Sequence, residues 1–155
     1  MKQFTRIIGV DGVPNFGQIV DGIYRGGQPT EQGFRTLSDM EFKTVLNLRT
    51  HNDIDTEFCD LYGIIRHNYP LNVFENIKIE EFDEVLDIIN KSEKPLFLHC
   101  LKGQDRTGVI SACYRVTCCG WTLNEAIEEM EAYGHNNIWF TMLKSLRYYA
   151  MMKIL

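Results

Sequence analysis

No stretch of this 155-residue sequence approaches the roughly 18 consecutive apolar residues of a membrane-spanning helix, so no span is expected. Positive charge is scarce too. Sixteen Lys and Arg stand against 21 Asp and Glu, a net charge of −5, which excludes a global attraction to nucleic acid. Any pull on an anionic substrate must then be local. The opening Met1-Lys2-Gln3-Phe4-Thr5-Arg6 lacks the apolar centre of a signal peptide. The five cysteines, Cys59, Cys100, Cys113, Cys118 and Cys119, are odd in number and have no zinc-site spacing. Free thiols suit a reducing compartment, so a cytoplasmic location is expected, with a trimmed leader or signal-free export left open. Repeats, linkers and low-complexity tracts are also missing. A single domain over 1–155 is expected, with 1–16 as a loosely patterned arm.

What is present is an alternation of strand and helix signals. Gln18–Arg25 reads as one firm strand, after a turn-rich Val13–Gly17. Thr30 offers an N-cap to a helix bearing Phe34, Leu37 and Met40. Thr44–Leu48 reads as a buried strand. Asn52 or Asp53 opens a short helix with Ile54, Phe58 and Leu61 on its apolar face, closed by Gly63. Ile64–Tyr69 is a further strand. Ile79, Phe82, Val85, Leu86 and Ile89 mark an amphipathic helix. Leu96-Phe97-Leu98 is a buried strand, followed by a helix from Val109 to Cys119 on which Cys113 and Cys118 read as core residues. Thr122 to Glu125 is a capping box, Gly134 ends that helix, and a last helix runs from about Asn137 with Trp139, Met142, Leu143, Leu146 and Tyr149 on its stripe. The alternation predicts an α/β fold: a four- or five-stranded, mostly parallel sheet flanked by helices.

The chain's chemistry concentrates in His99-Cys100-Leu101-Lys102-Gly103-Gln104-Asp105-Arg106-Thr107-Gly108. A strand delivers a cysteine to a tight loop, and a helix starts where the loop ends. Ligands of such sheets bind beyond the carboxyl ends of strands. Backbone N–H groups of the loop can curl into a nest, and the helix N-terminus adds unpaired donors and its positive dipole end. Gly103 permits the turn, and Arg106 can grip a phosphate through two parallel N–H bonds. The same field lowers the pKa of a cysteine and makes Cys100 a nucleophile able to attack phosphorus and form a phosphocysteine.

This stretch resembles the His-Cys-x5-Arg-Thr-Gly signature of cysteine-dependent phosphatases, the protein tyrosine and dual-specificity superfamily. The segments Ile23–Pro29, Lys43–Arg49, Tyr114-Arg115 and Gly120–Met130 are similar to small bacterial dual-specificity-like phosphatases and to the plant and fungal atypical group. The resemblance implies that Cys100 is the nucleophile, Arg106 the phosphate clamp, and Leu101, Lys102, Gly103 and Gln104 the substrate-binding loop. It further implies that Thr107 eases departure of the thiolate and that His99 braces the loop. No cofactor and no metal are implied.

The proton donor departs from the family pattern. Relatives place an aspartate on the loop before the middle helix, but Asn68 to Ile77 contains none. Asp105, within the signature loop, is the first candidate, as in phosphatases with similar Gly-x-Asp-Arg-Thr-Gly loops; Glu75 is the alternative. The expected activity is hydrolysis of phosphomonoesters, with protein phosphotyrosine as the leading substrate because no dense Lys/Arg cluster lies mid-chain. Phosphoinositides or inositol phosphates and pyrophosphates are the alternative class, and a catalytically weak phosphate-binding module is the second. A monomer is expected, with no nucleic-acid partner and no integral membrane contact.

Overall fold

The structure, a computed structural model, describes residues 4–136 and 140–154. Its strands are β1 (Thr5–Arg6), β2 (Gly17–Val20), β3 (Ile23–Gly26), β4 (Thr44–Asn47), β5 (Ile65–Asn68) and β6 (Leu96–His99). Its helices are α1 (Glu31–Asp39), α2 (Asp53–Tyr62), α3 (Ile79–Lys91), α4 (Arg106–Cys118), α5 (Leu123–Ala132) and α6 (Phe140–Lys153). They form one sheet in the order β1-β2-β3-β6-β4-β5. The pairs β3–β6, β6–β4 and β4–β5 are parallel; β1–β2 and β2–β3 are antiparallel. The α/β architecture and mostly parallel sheet agree with the sequence expectation, and the two-residue β1 extends the five longer strands at one edge. No helix among the described residues is long and apolar enough to cross a membrane.

The expected strand Gln18–Arg25 is instead a hairpin. Asp21-Gly22 turns the chain, with Val20 opposite Ile23 and Gly22 at φ 80°. Asp-Gly between apolar runs is a two-residue hairpin signal, because such a turn needs positive φ and matches the twist of the strands. On α2 the expected apolar face is also turned: Ile54 and Leu61 are exposed, whereas Asp55 and Cys59 are buried. Cys118 is exposed rather than in the core. The expected helix start at Asn137 and its Trp139 lie outside the described residues.

β6 is the axis of the core, and all four of its residues are buried. Its side chains alternate between the two faces of the sheet. Leu96, Leu98 and then Cys100 join the larger cluster, with Val85 and Ile89 of α3, Val109, Ile110 and Cys113 of α4, and Leu146 of α6. Phe97 joins the smaller one, with Phe16, Val45, Phe34 and Leu37 of α1, and Cys59 of α2. Full burial of one such side chain stabilises the fold by about 1.5–3 kcal/mol. His99 stacks on Phe97, ring centroids 5.7 Å apart, and so faces the α2 side, opposite to Cys100. β3, β6 and β4 run parallel and end level, with Gly26 and Asn47 both opposite His99. Three strand ends therefore meet where Cys100 leaves the sheet.

Candidate active site

Between β6 and α4 the chain makes its turn in five residues, Leu101 to Asp105, and the surrounding structure takes hold of its carbonyl groups. The Gln28 N–H donates to the Leu101 O at 2.9 Å. Asn15 Nδ2 donates to the oxygens of Lys102 and Gly103, at 3.3 and 3.0 Å, and to that of Tyr133 at 3.0 Å. Arg25 Nη2 donates to the Gly103 O at 2.9 Å. In a trans peptide the C=O and the following N–H point in opposite directions. Pulling these oxygens outward turns the N–H groups of Lys102, Gly103 and Gln104 inward, the arrangement of an anion nest. Gly103 is required twice over. It sits at φ 71°, and a Cβ there would lie 2.5 Å from the Gly26 carbonyl carbon. Gly27 meets the loop as closely, since a Cβ on it would lie 2.9 Å from the Leu101 O.

Cys100, Leu101, Lys102, Asp105, Arg106 and Val73 line one cleft of about 160 Å³. Arg106 is the first residue of α4, and its guanidinium makes no ion pair or side-chain hydrogen bond with another described residue. It is therefore available to a ligand. Thr107 is buried and reaches the Gly26 O at 3.5 Å, with no bond to Cys100. Gln104 lies against Gly134, so its backbone rather than its side chain serves the loop. Leu101 and Lys102 are exposed at the rim. A larger cleft of about 300 Å³ beside α6, lined by Lys78, Lys144 and Tyr148 among others, holds no cysteine.

The two acid candidates part company. Asp105 faces the cleft. Its Oδ1 accepts from the Asn136 N–H at 3.0 Å and lies 2.8 Å from His135 Nδ1. Glu75 is exposed on the 71–77 loop and is not among the cleft's lining residues; Val73 is the residue that loop contributes. Asp60 and Asp83 are elsewhere, facing Arg66, and Tyr149 with Lys153, respectively.

Behind the loop runs a buried polar chain. His99 Nδ1 lies 3.0 Å from the Cys100 O, and its Nε2 lies 2.6 Å from Asp55 Oδ2. Both ring nitrogens therefore face oxygen atoms, and the ring is held from two sides. Asp55 Oδ1 accepts from Gln28 Nε2 at 2.8 Å, and Gln28 Oε1 accepts from Arg49 at 2.9 Å. This chain braces the carbonyl of Cys100 from the opposite face of the sheet. Sequence reasoning assigned no role to Asp55, Gln28, Asn15, Arg25 or His135. For Arg25 there was a signal: period-two alternation puts it on the same face as Ile23, and a charge at a core-facing register calls for a partner. For Asp55 there was none, since the apolar residues around it suggested a different buried face.

Burial pushes the thiols of Cys59 and Cys113 up to about 12, so both are protonated near neutrality. Cys100 differs in facing a nest of N–H groups. Site-resolved mass spectrometry after brief iodoacetamide treatment at pH 7 should find Cys100 modified and Cys59 and Cys113 untouched. Equal modification of all three would mean that the loop does not ionise Cys100. Among the described residues no cluster of three or more His, Cys, Asp or Glu could hold a metal ion.

A family profile described as "Tyrosine phosphatase family" matches residues 12–150. A "Probable tyrosine-protein phosphatase DG1060" of Dictyostelium discoideum is 30% identical over 135 residues, covering 80% of this chain and 78% of that protein. The "Inositol diphosphatase DSP2" of Oryza sativa is 27% identical over 127 residues. That match covers 77% of this chain, and the chain spans about three-fifths of the rice protein, 62% of its length. Among solved structures, TpbA of P. aeruginosa superposes with a TM-score of 0.82 at 23% identity, over 94% of this chain and 89% of that one.

Proposed function

The chain belongs to the tyrosine phosphatase family, and from that premise we propose that it hydrolyses phosphomonoesters through a phosphocysteine, with protein phosphotyrosine as substrate. The observation that carries this is that Cys100 and Arg106, which has no side-chain partner among the described residues, line one cleft, beside a loop whose Leu101, Lys102 and Gly103 carbonyls are held away from it.

In the first step the loop N–H groups and Arg106 receive the phosphoryl oxygens. Cys100 Sγ forms a bond to phosphorus as the bond to the ester oxygen breaks. The electron pair leaves on that oxygen, which takes the proton of Asp105. In the second step water attacks phosphorus, gives its proton to Asp105, and the S–P bond breaks to restore the thiolate and release phosphate. Negative charge on the transferring group stays with Arg106 and backbone donors, where preorganised dipoles stabilise the transition state most. Thr107 adjoins these donors, and His99, held by Asp55, fixes the carbonyl of Cys100.

Phosphotyrosine is favoured by the rim. Val73 lines the cleft, and Leu101 is 48% exposed beside Cys100, so an aromatic ring has apolar contacts there. Lys102 is the one cation other than Arg106 among the lining residues. A second reading, hydrolysis of inositol pyrophosphates, is favoured by the likeness to the rice inositol diphosphatase. We assign the five free cysteines to a reducing, cytoplasmic setting and the chain to a monomeric state.

The deciding assay is hydrolysis of p-nitrophenyl phosphate. It should proceed in EDTA and be blocked by vanadate; activity lost on chelation and restored by a divalent cation would refute the mechanism. Phosphotyrosyl peptide and inositol pyrophosphate should then be compared by kcat/KM, the first expected to be higher. Asp105→Asn should slow phosphotyrosine hydrolysis by about 10²-fold or more, because a phenolate of pKa near 10 needs the proton. It should slow p-nitrophenyl phosphate less. Glu75→Gln should change little, and a leaving-group dependence that follows Glu75 would move the acid to the 71–77 loop.

A further inference from the structure

Outside the cleft, three charged side chains are buried together. Arg25 of β3, Arg115 of α4 and Glu129 of α5 are 0%, 5% and 1% exposed. Two guanidinium groups share one carboxylate, so the cluster carries a surplus positive charge inside the protein. The carboxylate belongs mainly to Arg115, whose Nε and Nη2 reach its two oxygens at 3.2 and 2.8 Å. Arg115 also lies over the Trp121 ring at 4.0 Å. Arg25 Nη1 stands 4.0 Å from the same carboxylate.

Arg25 is correspondingly short of partners. Its Nε and Nη1 are buried with no hydrogen bond to another described residue, and its flat face is covered by the Tyr133 ring at 3.6 Å. Its one side-chain hydrogen bond among the described residues goes to the catalytic-loop carbonyl of Gly103. The same Nη2 lies 3.9 Å from where a Cβ on Gly108 would be, so it also abuts the first turns of α4. A guanidinium is costly to bury without full pairing. A merely structural Arg25 would have its donors met within the core; this one directs its single bond, and its surplus charge, at the loop.

We propose that Arg25 is a positioning residue of the active site, holding the Gly103 carbonyl outward and supplying from below the positive charge that favours an anion, thiolate or phosphate, in the loop. This rests on the reading of Cys100 as the nucleophile. Burial lowers the Arg25 pKa, and Tyr133, Glu129 and, after them, Cys100 oppose that lowering. The other charged or titratable groups around the loop are Lys102, Asp105 with His135, Arg106, and His99 with Asp55. They lie at the rim or on other elements and stay unchanged in the variants below.

The test reads Cys100 directly, without turnover. The pH dependence of its iodoacetamide alkylation, followed on the Cys100 peptide by mass spectrometry, gives the pH at half-ionisation. Arg25→Met should raise that midpoint by about one unit, corresponding to about tenfold less thiolate at low pH. It should also weaken competition by inorganic phosphate by about tenfold. Arg25→Lys, which keeps the charge, should restore most of the midpoint. Glu129→Gln should move it the other way, downward, because it increases the surplus charge. Damage to packing alone would not produce opposite shifts from two neighbouring substitutions. A folded Arg25→Met protein with an unchanged midpoint overturns the proposal. If that variant does not fold, Glu129→Gln decides by sign: a lower midpoint supports the proposal, and an unchanged or higher one overturns it. A wild-type protein that hydrolyses no ester would refute the proposed function while leaving these midpoints readable.

Discussion

Cys100→Ser should abolish turnover, by about 10⁴-fold or more, while phosphate still binds. The reasoning starts from ionisation. An unperturbed cysteine is a few per cent thiolate at pH 7, and a helix N-terminus raises that fraction. A serine hydroxyl in the same place stays protonated, because it is a far weaker acid than a thiol and the loop donors do not accept protons. The adjoining His99 lies on the opposite face of the sheet, with Nδ1 on the Cys100 carbonyl and Nε2 on Asp55, so it is not placed to take the proton. Removing the member of a site that forms the covalent bond costs about as much as dismantling the unit. The loop donors and Arg106 do not depend on sulfur, so inorganic phosphate should compete as well as in the wild type, or better once the thiolate no longer repels the dianion. Measured turnover by the serine variant within tenfold of wild type would place the nucleophile elsewhere.

Arg106→Lys should lower kcat/KM by about 10²-fold or more, although charge is conserved. The transferring phosphoryl group spreads its charge over three equatorial oxygens. A planar guanidinium meets two of them at once, whereas an ammonium on a flexible stem meets one. That is comparable to losing an oxyanion-hole donor, about 3 kcal/mol of transition-state stabilisation. Arg106 has no ion pair among the described residues to hold it elsewhere, so the loss should fall on the chemistry and not on stability. The thermal midpoint should stay within a few degrees of wild type. A lysine variant with near-normal kcat/KM would put Arg106 outside the site.

Much of this is legible in the sequence. Thr30 does cap α1, with its Oγ1 accepting from the Gly33 N–H, and Thr122 and Glu125 do form a capping box. Such signals are local, so one window of sequence contains both partners. The loop of Leu101 to Asp105 was equally local. The unread parts share a different property. His99 and Asp55 are 44 residues apart, Arg25 and Gly103 are 78 apart, and His135 and Asp105 are 30 apart. Each pairing is decided by which elements the fold brings together, and no periodicity encodes that. The hairpin at Asp21-Gly22 is the exception. Its turn signal was in the sequence, and the continuous apolar pattern on either side concealed it.

Asn15 has a consequence for how the protein is made. Its side chain closes contacts across 87, 88 and 118 residues, to Lys102, Gly103 and Tyr133. Ring closures of that length are slow, because the entropy of bringing distant segments together is lost before any contact rewards it. A nascent chain that has just emerged as far as Cys100 has neither the helix that follows nor the carbonyl of Tyr133, and Asn15 has nothing to grasp. On the ribosome the loop beside the cysteine is therefore not yet held. Its carbonyl groups are fixed late, when Asn15 and the distant part of the chain have met around it.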